Sequence, residues 1–229
     1  MSIVKSRSWL RIAAAVAAAG LGVSACGTVH LGAAAITGNN RISSSSLTTQ
    51  IANLNSAYQA DAAKNVKPQR PVGQEAQQVL TWLILFRVYD RVAANNNIYV
   101  SSTQARRQLD RLSNQAAASK VSLAEYVSAG GALPPDLLPQ LGQYLAILSS
   151  LEYRLNGGKA PTTAAAQAQV QSAVAHNQCL ASKQLAITVN PQYGVWDYRS
   201  YSVVPAPSTL AAAPAPSPSP TRALTKPPC

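Results

Sequence analysis

Reactive side chains are scarce in this 229-residue sequence, which holds three cysteines and two histidines. His176 and Cys179 stand three residues apart on a stretch that reads as helix, so they share a face in the manner of a weak metal or thiol pair. No second pair completes a four-ligand set. A Cys-His nucleophile also needs a third group to orient the imidazole, and Asn177 points elsewhere on a helix. His30 reads as a linker residue. The eight acidic residues are Asp61, Glu75, Asp90, Asp110, Glu125, Asp136, Glu152 and Asp197. They are spread singly, mostly beside a basic residue or where they cap a helix: Asp90 lies between Arg87 and Arg91, and Glu152 near Arg154. No carboxylate pair suggests glycoside hydrolysis, and there is no G-x-S-x-G elbow or phosphate loop. The serines at 43–46 read as helix caps. These residues propose no enzyme, metal, cofactor or small-molecule substrate.

Cys26 has a different setting. Lys5, Arg7 and Arg11 precede an apolar, alanine-rich run from Ile12 to Val23, which suits the core of an export signal and is shorter than the ~20 residues of a spanning helix. The run ends in Val23-Ser24-Ala25-Cys26, which resembles the bacterial lipobox. That resemblance implies a thiol carrying diacylglycerol, a mature N-terminus at Cys26, and anchorage at the extracytoplasmic face of the cell membrane. Two or more acyl chains, at ~0.8 kcal/mol per buried methylene, hold a protein there stably. Removing the three basic residues of the signal lowers the net charge from +11 to +8. A basic exported protein leans on anionic head groups or acidic wall polymer. Nucleic acid is not expected, because the densest basic stretch, Arg106, Arg107 and Arg111, reads as a solvated helix face. In an oxidising compartment Cys179 and Cys229 are able to pair; the tail's composition instead favours a half-buried Cys179 and a loose Cys229.

The elements follow from pattern. Residues 1–25 read as signal peptide, 26–33 as tether, 34–204 as one mainly helical domain, and 205–229 as a disordered tail. That tail has eight prolines in 25 residues, interleaved with alanine and serine. Gly38-Asn39-Asn40 between short apolar pieces reads as a small hairpin or turn. Leu47, Ile51, Leu54 and Tyr58 then follow at helical spacing up to the break at 64–71. A second helix, about Val72 to Ala94, is apolar on nearly every side at its centre and is expected to be the most buried, with Trp82 and Phe86 in the core. Ser101 with Gln104 and Ser122 with Glu125 are capping-box pairs that start two more helices. Within residues 130–158, prolines at the front and paired glycines at the back bracket another, with Leu137, Leu141, Tyr144 or Leu145, Leu148 and Leu151 as its stripe. A last, alanine-rich helix spans about Thr162 to Lys183. The β-branched and aromatic residues around Asn190-Pro191-Gln192-Tyr193-Gly194 read as strand, turn, strand.

In this order the pieces resemble the SurA N-terminal (trigger factor/SurA-like) domain. Ile36, Gly38, Ile42, Ser43 and Leu47 occupy the places of that family's opening strand pair and first helix, with Ser46 where an acidic residue is usual. Residues 80–112 look like its buried long helix, connector and third helix. "VNPQYGVWDY" is similar to its closing segment, with Gln192 where arginine is common. The resemblance implies a helical chaperone module whose N- and C-terminal segments form a small strand pair. About 30 residues separate Asn156 from the last strands, too few for the parvulin-type isomerase domain that family members often carry. It further implies non-enzymatic holding of unfolded or partly folded exported polypeptides. Such holding needs an apolar surface, for which Tyr89, Tyr126, Tyr144, Tyr153, Trp196 and Tyr198 are the candidates. The other reading of the same residues is a structural lipoprotein of the cell envelope that binds one fixed partner or wall polymer.

Overall fold

Three alanines open the folded part, and their small side chains let other elements lie directly on the strand they form. The computed structural model describes residues 32–206 and Cys229. The expected signal segment, Cys26, His30 and residues 207–228 lie outside the described residues. Strand β1 (Ala33–Thr37) turns into β2 (Asn40–Ser43), with Thr37 opposite Asn40 closing a two-residue hairpin. Gly38 takes φ 61°, which glycine adopts without a Cβ penalty. On the other edge of β1 lies β3 (Thr188–Val189), antiparallel, with Ala35 opposite Val189. The sheet order is therefore β2-β1-β3, and it joins the N- and C-terminal segments as expected.

Among the described residues six α-helices follow β2. The Ser43 hydroxyl accepts from the Ser46 amide to cap α1 (Ser44–Ala62), whose Leu47 and Leu54 are fully buried. Helix α2 (Glu75–Asn95) begins three residues later than the pattern suggests. Pro71 and Gly73, at φ 93°, interrupt the start, and the Glu75 carboxylate accepts the Gly73 amide instead. Both expected capping boxes are present, at Ser101 for α3 (Ser102–Ala118) and at Ser122 for α4 (Leu123–Gly131). A short 3-10 turn, Pro135–Leu137, leads into α5 (Leu138–Leu155), and α6 (Ala164–Leu185) completes the set. Helix α2 packs against α1, α5 and α6 and also meets β1. Its Val79, Leu80, Ile84, Val88 and Val92 have no exposed surface.

The C-terminal segment has the expected order of strand, turn and strand around residues 190–194, but the two strands pair elsewhere. Residues 190–194 do not close a hairpin: β3 pairs with β1, while β4 (Val195–Asp197) pairs with β5 (Ser202–Val204). Asn190 is the reason. Its amide donates to the Ala34 carbonyl and its side-chain nitrogen to that of Ala33, so the chain is held on β1 before it turns away. The β4–β5 hairpin rests on α2, where the Val203 amide donates to the Thr81 hydroxyl at 2.9 Å.

Cys179 is fully bonded: its sulfur is joined to that of Cys229, fifty residues along the chain, with 5.9 Å between the Cα atoms. The expectation of a loose Cys229 is thus corrected, and Cys179 is 3% exposed rather than half-buried. The α6 backbone offers a fixed, buried anchor that tail composition alone does not reveal, and Lys183 donates to the Cys229 carbonyl beside it.

Two consequences can be measured. A Cβ on Gly142 would sit 2.9 Å from the Ala105 carbonyl oxygen and 3.0 Å from Leu109 Cγ. Gly142→Ala should therefore lower the melting temperature. Forcing α3 off α5 costs about 1–3 kcal/mol, more than the ~1 kcal/mol that alanine adds to a helix; a raised melting temperature would show that α3 is free to move. Cys229→Ser should cost about 2–4 kcal/mol in urea unfolding, and wild type with reductant should match it.

Candidate functional site

One face of α2 is not fully covered. Trp82 and Phe86 are one helical turn apart, with ring centroids 5.9 Å apart. Phe86 is buried with Val127, Leu133, Leu137 and Leu141 in a second, smaller core, but Trp82 is only half-buried. Its indole nitrogen donates to the Gly131 carbonyl at 2.8 Å, which fixes the ring against the end of α4. Tyr144 from α5 meets both rings edge-on, at 6.1 and 6.2 Å, and packs on Tyr89 at 4.5 Å. Edge-on aromatic pairs add about 0.5–1.5 kcal/mol each beyond simple burial, so the cluster is a stiff floor.

Over that floor lies a hollow of about 600 Å³ between α2, α3, α4 and α5. Trp82, Leu112, Val127, Leu133, Leu141 and Leu145 supply its apolar lining, and Tyr126, Val66 and Lys67 stand among its other lining residues. Tyr144 lines this hollow and also a second one of about 300 Å³, which contains Phe86, Leu83, Ile147, Arg41, Arg87 and Asp90. A hollow of several hundred Å³, mostly apolar with a few polar groups, has the size and character of a ligand site.

Helix α4 forms one wall and is held by polar bonds from the α1 end. Glu125 accepts from Lys64 at 2.5 Å and from the Ser122 amide at 2.6 Å. The Ser128 hydroxyl donates to buried Asp61 at 2.6 Å, and the Gln69 amide donates to the Ala129 carbonyl. The bond from Lys64 comes first, and those from Ser122 second, in holding the Glu125 carboxyl at about 2. Burial, with Tyr144 beside it, raises the Tyr89 hydroxyl well above the ordinary tyrosine value, so this buried phenol stays neutral.

The six aromatic candidates separate. Tyr89, Trp196 and Tyr198 are 4%, 3% and 4% exposed, so the surface role expected of them is corrected: they belong to the main core. Tyr89 lies under α5 and reaches Gln178 of α6, while Trp196 and Tyr198 pack edge-on on each other at 6.3 Å. Tyr126 and Tyr144 come together at the larger hollow. Tyr153, more than half exposed, lines a separate hollow of about 350 Å³ beside Tyr99. The sequence reading missed Leu112, Val127, Leu145 and Lys67 and placed Trp82 in the core. The available signal was α3, which is too polar to close over a tryptophan. His176 is exposed, and the disulfide removes Cys179 as its thiol partner. Among the described residues no three His, Cys, Asp or Glu side chains gather as for a metal, and no helix is long and apolar enough to cross a membrane. No family model, curated protein or solved structure matches the chain.

The Glu125 bonds carry a pH signature. With the folded value near 2 and the ordinary one at 4.5, the unfolded chain binds the extra proton. The stabilisation is therefore complete above pH 4.5 and is lost as pH falls toward 2. Comparing urea midpoints of wild type and Glu125→Gln should show a gap above pH 5 that closes by pH 2; a constant gap would mean the carboxylate's charge is not what holds α4.

Proposed function

We propose that this chain is a lipoprotein, anchored through Cys26 at the outer face of the cytoplasmic membrane, that holds unfolded exported polypeptides without catalysing a reaction on them. The observation that carries this reading is the apolar hollow of about 600 Å³ floored by half-buried Trp82. A large apolar side chain leaving water gains about 1.5–3 kcal/mol. One or two such side chains per client give weak, reversible holding, as suits a protein that must release what it binds. A floor of stacked rings and aliphatic walls favours apolar groups without reading a fixed pattern of hydrogen bonds.

The finer reading is a SurA N-terminal-like module without an isomerase domain. It is supported by the pairing of β1 with β3 and by the two capped helices after the buried α2. It is also supported by the short connection between Leu155 and Ala164, with the rest of the interval before β3 taken up by α6.

The test is suppression of thermal aggregation of several unrelated clients by the full chain carrying Cys26→Ser. Protection at a severalfold molar excess is expected, and Leu145→Gln should weaken it about threefold to tenfold, the loss expected from less burial at one wall position. No protection, together with capture of a single envelope species, would replace holding with the fixed-partner reading.

A further inference from the structure

The charges around the larger hollow are unequal in a way that its apolar lining does not require. We propose that it selects segments in which a large apolar side chain is flanked by aspartate or glutamate. This inference rests on the holding reading and names its substrate class.

Each carboxylate that lines the two hollows is already engaged. Glu125 is bound by Lys64 and the Ser122 amide, and Asp90 lies 3.6 Å from Arg87. An incoming cation therefore meets no carboxylate without a partner. Lys67 is different: it lines the apolar hollow, is exposed, and makes no ion pair among the described residues. The chain segments that line the hollow at Gln69 and Ser119 continue directly into Arg70 and Lys120, both exposed. The second hollow, sharing Tyr144, holds the Arg87–Asp90 pair, whose charges offset each other. Residues 32–206 as a whole carry fourteen Lys and Arg against eight Asp and Glu. An acidic residue beside the buried apolar group thus gains a nearby ammonium and a favourable field, while a basic one meets repulsion.

Dye-labelled peptides sharing a Phe-Leu centre and differing only in flanking Asp, Ser or Lys give the test, by fluorescence anisotropy with the full Cys26→Ser chain. The Asp peptide should bind about threefold to fivefold more tightly than the Ser peptide, the range an exposed ion pair supplies, and the Lys peptide should bind least. The Asp advantage should shrink at high salt. Lys67→Glu should reverse the order with an unchanged melting curve, since its side chain is exposed. Equal binding of all three peptides, or preference for Lys, overturns this proposal and leaves holding intact. No binding by any peptide overturns the holding reading as well. Displacement of every peptide by palmitate, with no dependence on flanking charge, also overturns the proposal and gives the hollow to an acyl chain.

Discussion

The middle turns of α2, from Val79 to Tyr89, have almost no polar side, and covering them takes more apolar surface than any one neighbour offers. The structure answers with α1, α5 and α6 against the helix, β1 along it and the β4–β5 hairpin near its start. What is left over is Trp82. It meets Tyr144 of α5 and the end of α4, which is only nine residues long, while α3, with a single buried residue, lines the same hollow. Neither α3 nor α4 carries enough large side chains to close over an indole, so the tryptophan forms the base of a hollow instead of part of a sealed core. The proposed binding site is in this sense the unfinished edge of the packing around one helix.

Once that gap exists, its shape depends on polar anchors outside it. Helix α4 could tilt in to fill the space, but it is tied to the end of α1 through Lys64–Glu125, Asp61–Ser128 and Gln69–Ala129. Glu125 serves both as the capping-box acid of its own helix and as the ion-pair partner across to α1. On the opposite wall, Gly142 lets α5 approach the α3 backbone closely and leaves Tyr144 and Leu145 facing the open side. Tyr144 then fixes α5 to the aromatic row of α2. Polar bonds on one side and a missing side chain on the other hold the walls apart.

Local signals were easy to read because each is settled within a few residues. The Ser101–Gln104 and Ser122–Glu125 boxes, the Gly38 turn and the glycines after α5 satisfy their own backbone groups wherever the helices later pack. The exposure of a tyrosine is decided by elements far along the chain. Tyr89 and Tyr144 sit on similar helices, yet only Tyr144 reaches an opening, since Tyr144 of α5 packs on the Tyr89 ring and Gln178 of α6 accepts from its hydroxyl. The pairing partner of β3 was equally hard to read, because Asn190 anchors to carbonyls more than 150 residues earlier. Proline composition carried no information about a covalent bond at Cys229.

The bond between Cys179 and Cys229 also has an order of events built into it. Fifty residues, including β3, β4 and β5, must emerge after Cys179 before its partner arrives, so α6 first presents a free thiol. Three cysteines allow three different pairings. If a lipid has already occupied the sulfur of Cys26, as proposed, two of those pairings are chemically closed and one remains. Acylation at the start of the chain would then act as a proofreading step for oxidation at its other end.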